Sequence, residues 1–84
     1  MKHTEIIKTI MKKTGVLQEE LGHNLGLAGA AAVSRRINRK NGTMMGIADI
    51  LDALGYEIVI RPAEKSPLAE NEYVLHSRDY EGEE

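Results

Sequence analysis

Between Gly26 and Asn41 the chain carries four basic residues, Arg35, Arg36, Arg39 and Lys40, and no acid, although its formal net charge is −2. Guanidinium groups at that density suit phosphates, and a single one can pair bidentately with the O6/N7 edge of guanine. Wound as a helix from near Ala28 at about 100° per residue, the stretch puts Ala30, Val33 and Ile37 on one face. Ala31, Arg35, Asn38 and Arg39 fall on the opposite face. Exposed arginines are commonly just solvated, but two of them one turn apart, opposite a clean apolar face, favour contact with a polyanion. Alanines in a helix are commonly plain helix formers. Here Ala28, Gly29, Ala31 and Ala32 also permit close backbone approach and contact with thymine methyls. Arg36 lies toward the flank, where an acid such as Glu20 is an alternative partner.

Catalytic chemistry has little support. His3, His23 and His76 lie in separate segments without metal-ligand spacing and read as surface or strand residues. No Ser-His-Asp order and no phosphate-cradling glycine loop occurs, since Gly26 and Gly29 follow no strand. No catalytic residue, metal or cofactor is expected, and the chain does not read as an enzyme.

The elements that must position the basic stretch follow from periodicity. Thr4 is a candidate cap for a first helix with Ile6, Ile7, Ile10 and Met11 at helical spacing and Gly15 as its stop. Lys8, Lys12 and Lys13 on that helix are explained by solubility and by the dipole of its C-terminus. A second helix runs from about Leu17 to Leu25, with Leu17, Leu21 and Leu25 one turn apart and Gly26 ending it. Glu19 and Glu20 suit its first turn by charge alone. Gly22, in the helix interior, costs about 1 kcal/mol relative to Ala, which close approach of a neighbouring helix would offset. The basic stretch is the third helix. Thr43 caps a fourth, with Ile47, Ile50, Leu51 and Leu54 as its stripe, Met44 and Met45 as gap-fillers at its entrance and Gly55 as its end.

From Tyr56 the period becomes two: Tyr56, Ile58 and Ile60 alternate with Glu57, Val59 and Arg61 up to Pro62. This predicts a short strand, paired either with a second strand at residues 73–77 or with its symmetry mate in a homodimer. Residues 56–77 are therefore assigned to dimerisation, through Tyr56, Ile58 and Ile60. The end of the chain, residues 78–84, reads as an acidic tail, without a core-forming pattern from Asp79 onward and therefore expected to be disordered.

Composition sets the bounds. Eighty-four residues make one small domain, in which folding hides about 60–65% of the unfolded surface. With no Trp, no Phe and three Tyr, the core must be aliphatic, which suits packed helices. The absence of Cys excludes a disulfide scaffold and fits a reducing interior. No apolar run approaches the roughly 20 residues needed to cross a bilayer, and the first residues do not read as a signal peptide, so no membrane association and a cytoplasmic location are expected. Residues 1–63 hold nine Lys/Arg against six Asp/Glu, and residues 64–84 two against seven, giving +3 and −5. A basic body with an acidic tail points to nucleic-acid contact plus an interaction tail.

Leu17-Gln18-Glu19-Glu20-Leu21, then Leu25-Gly26-Leu27, then Val33 to Arg39, then the capped helix ending Leu54-Gly55, together resemble the Cro/C1-type (Xre) phage-repressor helix-turn-helix family. The resemblance covers residues 4–55 and implies a mostly α, four-helix lambda-repressor-like domain, here followed by one or two short C-terminal strands. The strand after the last helix resembles that of HipB-type antitoxins, whose paired strands help to join the dimer. Two features depart from the family. Gly22 stands where Ala is common, and the interval from Gly26 to Val33 is about one residue longer than usual.

The resemblance implies that the second helix crosses the DNA backbone and the third enters the major groove, from a two-fold dimer on a palindromic operator. Gln18 then contacts phosphate or braces the third helix. Arg35 pairs with a guanine edge, Ala28, Ala31 and Ala32 approach bases, and Ser34, Asn38, Arg39, Asn41 and Thr43 meet phosphates. For Asn41 a capping role serves equally well. The expected function is a sequence-specific, double-stranded DNA-binding transcriptional regulator, a dimeric repressor. The alternative is an antitoxin that binds a toxin and autoregulates its operon.

Overall fold

A computed structural model describes residues 1–39, 43–63 and 67–81. Among them it places four α-helices, α1 (His3–Thr14), α2 (Gln18–Leu25), α3 (Ala30–Ile37) and α4 (Met44–Ala53), and a 3-10 turn at Ser77–Tyr80. No helix among the described residues is long and apolar enough to cross a membrane.

The core is aliphatic, as the composition demands. Ile7, Ile10 and Met11 of α1, Leu21 of α2, Val33 and Ile37 of α3, and Ile50, Leu51 and Leu54 from α4 and its end form one buried cluster. α2 packs against both α3 and α4, and α1 packs against α4. Each of these side chains removes apolar area from water, worth about 1.5–3 kcal/mol when fully buried. Some stripe positions fall outside this cluster. Leu17 is 64% exposed, because it occupies the N-cap of α2 in extended backbone and is out of phase with the helix; Val16 packs on the core instead. Met44 and Met45 are 64% and 70% exposed, so they fill no gap: they precede the first inward position of α4, Ile47. Ala30, at the first position of α3, is exposed too.

Chain stops follow glycine chemistry closely. Gly15, Gly26 and Gly55 all adopt left-handed backbone after a helix. After α2, the N–H of Leu27 donates to the Gly22 carbonyl at 2.8 Å and that of Gly26 to His23 at 3.2 Å, a Schellman closure. α4 ends likewise, with Tyr56 N–H donating to Leu51 at 2.8 Å and Gly55 N–H to Asp52 at 3.0 Å. The start signals fare less uniformly. Thr43 caps α4, its Oγ1 accepting from the Gly46 N–H at 3.0 Å. Thr4 caps nothing: α1 begins two residues earlier, with Lys2 at its N-cap and His3, its first residue, buried in the interior.

The expected C-terminal strands are not formed; the described residues contain no strand. Tyr56 is committed to closing α4 and to packing on the core. Ile58, Val59 and Ile60 follow at 41%, 69% and 89% exposure, with no ladder partner among the described residues. Residues 70–80 are occupied elsewhere, as a strap running back along α1. Lys13 Nζ donates to the Glu70 carbonyl and to Asn71 Oδ1 at 3.4 and 3.2 Å, and sits 5.9 Å from the Tyr73 ring centroid. Tyr73 packs tilted on Tyr56, centroids 6.5 Å apart. At the other end of α1 the Met1 ammonium donates to the Val74 carbonyl and to Asp79, both at 2.8 Å. That ammonium, together with the His76 N–H, holds the Asp79 carboxyl below its ordinary range. Residues 77–80, at the start of the expected structureless tail, thus form a docked turn; residues 82–84 lie outside the described residues.

Candidate nucleic-acid interface

α3 divides cleanly into two faces. Val33 and Ile37 are fully buried, while Ala31, Arg35, Arg36, Asn38 and Arg39 are exposed and Ala32 and Ser34 are half-buried. None of the three arginines forms an ion pair with an acid of the described residues, so Arg36 does not pair with Glu20. The face therefore presents guanidinium groups on and just beyond a short helix, with no ion pair among the described residues.

The turn before α3 settles where the helix starts. The chain needs Gly26 and Gly29, at φ 71° and 92°, to reverse direction, and the Gly29 N–H donates to the Leu27 carbonyl at 3.1 Å. The longer interval between Gly26 and Val33 is absorbed there, and α3 begins at Ala30 rather than near Ala28. Ala28 consequently lies in the turn, exposed and outside the helix. Among the described residues no side chain caps α3, so its first-turn N–H groups have no side-chain acceptor at the positive end of the helix dipole.

Gly22 explains how α2 and α3 come so close. A Cβ placed there would stand 2.9 Å from Val33 Cγ2 and 3.4 Å from the Gly29 carbonyl oxygen. The expected close approach of a neighbouring helix is thus made by the first turn of α3 itself. That contact fixes the basic face relative to α2, whose first residue, Gln18, is half-buried.

The polar candidates at the far end are partly engaged already. Asn38 Nδ2 donates to the Ser34 carbonyl at 2.9 Å and to Ser34 Oγ at 3.3 Å, so the two side chains finish α3 together. Thr43 Oγ1 is the α4 cap, with its own proton left to donate. Asn41 lies outside the described residues. Between α1, α3 and α4 is a cleft of about 180 Å³, lined among others by His3, Arg36, Arg39, Thr43, Gly46 and Asp49.

His3 is the site's unforeseen member. Read as a surface residue from the sequence, it is buried to 6% exposure, with Nδ1 2.6 Å from Tyr80 Oη and Nε2 3.3 Å from the Arg39 carbonyl oxygen. A signal for it existed: His3 lies four residues before Ile7 and seven before Ile10, on the same helical stripe. The sequence matches no protein-family model, and comparison with curated proteins and with solved structures gives no match either.

Proposed function

We propose that this protein is a sequence-specific, double-stranded DNA-binding regulator, acting as a dimeric repressor that inserts α3 into the major groove. One observation carries the reading: a helix with a fully buried apolar face turns Arg35 and Arg36 outward, with Arg39 just past its C-cap, none of the three ion-paired among the described residues, and its N-terminus has no side-chain cap among them. Phosphate neutralisation gives such a face salt-dependent affinity, and Arg35 supplies base discrimination worth about 1–3 kcal/mol through a guanine edge. Ala31 and Ala32 let the first turn come near the bases, while Gln18, Arg39 and Thr43 lie beside the phosphate path. The arrangement of α2, the glycine turn and α3 supports the likeness to Cro/C1-type repressors, in which this helix pair docks on the groove.

The test is a double variant, Arg35→Ala with Arg39→Ala, against duplexes enriched from a random pool. The mobility shift is expected to vanish while the circular-dichroism melt stays within about 0.5 kcal/mol of the parent, since both side chains are exposed. Retained binding sinks the proposal.

Dimer formation falls to the exposed run Ile58, Val59 and Ile60, since Tyr56 is spent on the core of its own chain. Pairing two such segments across a two-fold axis would satisfy their open backbone groups, and a two-fold dimer reads half-sites about one DNA turn apart. The same run favours one second reading, an antitoxin whose exposed segment is covered by a toxin. Sedimentation of the pure chain separates them: a dimer favours the first, a monomer that captures a toxin encoded next to its gene favours the second.

A further inference from the structure

The C-terminal strap reaches the candidate DNA face through one side chain. Lys2, at the N-cap of α1, gives the helix no side-chain cap; instead the His3 backbone N–H donates to Tyr80 Oη at 2.7 Å. That oxygen also lies 2.6 Å from His3 Nδ1, with the two rings stacked at 5.8 Å and 15°. A phenol has one proton, and its oxygen already accepts from the backbone. In the neutral assignment that makes each contact a hydrogen bond, Tyr80 donates to Nδ1, which leaves Nε2 protonated and donating to the Arg39 carbonyl at 3.3 Å. The relay therefore runs from Tyr80 through the His3 ring to the residue that follows the C-cap of α3.

We propose that His3, held by Tyr80, is a positioning residue for nucleic-acid binding: it pins the Arg39 backbone so that the Arg39 guanidinium is presented over the cleft beside Arg36. The inference rests on the reading of α3 as a DNA-contacting helix and extends it to two residues at opposite ends of the chain. The core holds α3 as far as Ile37 and Asn38 closes it on Ser34, whereas Arg39 lies beyond the C-cap, where His3 and Tyr80 supply the contact to its backbone. A helix end that frays spreads the Arg39 charge over many positions and lowers its yield of phosphate contact. An ordered carbonyl one residue away removes that freedom before DNA arrives.

Three full-length variants test it: His3→Ala, His3→Gln, whose amide N–H can replace the Nε2 donor, and Tyr80→Phe, which removes only the hydroxyl. With a random-sequence duplex as probe, well below each melting temperature, His3→Ala and Tyr80→Phe are expected to bind more weakly on every sequence. Their log–log salt slope should be shallower by about 1, one phosphate contact, with His3→Gln restoring it. A merely structural role lowers the melting temperature and leaves that slope unchanged. An unchanged slope in both variants overturns the proposal. Nitrogen NMR of the His3 ring and hydrogen exchange at the Asn38 amide read the relay without DNA. An Nδ1-protonated neutral ring, or Asn38 protection unaltered in His3→Ala, overturns the relay itself. A parent chain that binds no duplex at low salt while the relay signals are present overturns the DNA reading instead.

Discussion

The α2–turn–α3 unit and residues 56–81 are held in place by different kinds of contact. The first is a continuous packed seam, Leu21 and Gly22 against Val33, continuing to Ile37, with Gly26 and Gly29 of the turn dictated by backbone geometry. The second is an extended segment fastened at separate points: Tyr56 and Tyr73 on the core, Lys13 on residues 70 and 71, Tyr80 on His3. Packed seams tolerate little change in volume, whereas point fastenings can each be lost with local effect. A surface that must present charges in fixed register belongs on the seam, and a surface that must find a partner can lie on the fastened segment.

The sharpest way to break this contrast is in the seam. Ile37→Ala empties a fully buried site shared by α3 and the rest of the core, with an expected loss of about 2–5 kcal/mol in urea unfolding. A loss under 1 kcal/mol would mean that the seam is loosely packed. Next comes Gly22→Ala, where the added methyl meets stiff Val33 at 2.9 Å. Overpacking of about 1–3 kcal/mol outweighs a helix-propensity gain of about 1 kcal/mol, so net destabilisation is expected. Val33→Ala in the same chain should relieve the clash, giving a favourable coupling in a double-mutant cycle. In the fastened segment the sign reverses for Tyr73→Phe. The Tyr73 hydroxyl is buried without a hydrogen-bond partner among the described residues, so its removal should raise stability by about 1 kcal/mol. The smallest effect is expected at Ile60→Ser, whose side chain is 89% exposed: the thermal melt of the dilute chain should not move. If the run pairs two copies, the same change abolishes the concentration dependence of sedimentation.

The four helices were legible because each signals locally. An amphipathic stripe and a glycine stop need only a few residues on either side, and Gly15, Gly26 and Gly55 act as the periodicity predicts. So too was the small residue at Gly22, whose cost in a helix demanded a close neighbour. The alternation after Gly55 was equally clear, but alternation is half of a strand; the other half is a ladder partner, and residues 73–80 are already committed to α1.

By itself, then, the sequence determined four helices, their glycine ends, and a basic face opposite an aliphatic one, since these rest on spacing within a turn or two. Only the tertiary structure decided that α3 starts after Gly29, that Leu17, Met44 and Met45 stay outside the core, and that His3 lies inside it, joined to Tyr80 and to the Arg39 carbonyl. Those outcomes depend on which distant groups meet. A hydrogen bond between residues 3 and 80 leaves no periodic mark along the chain.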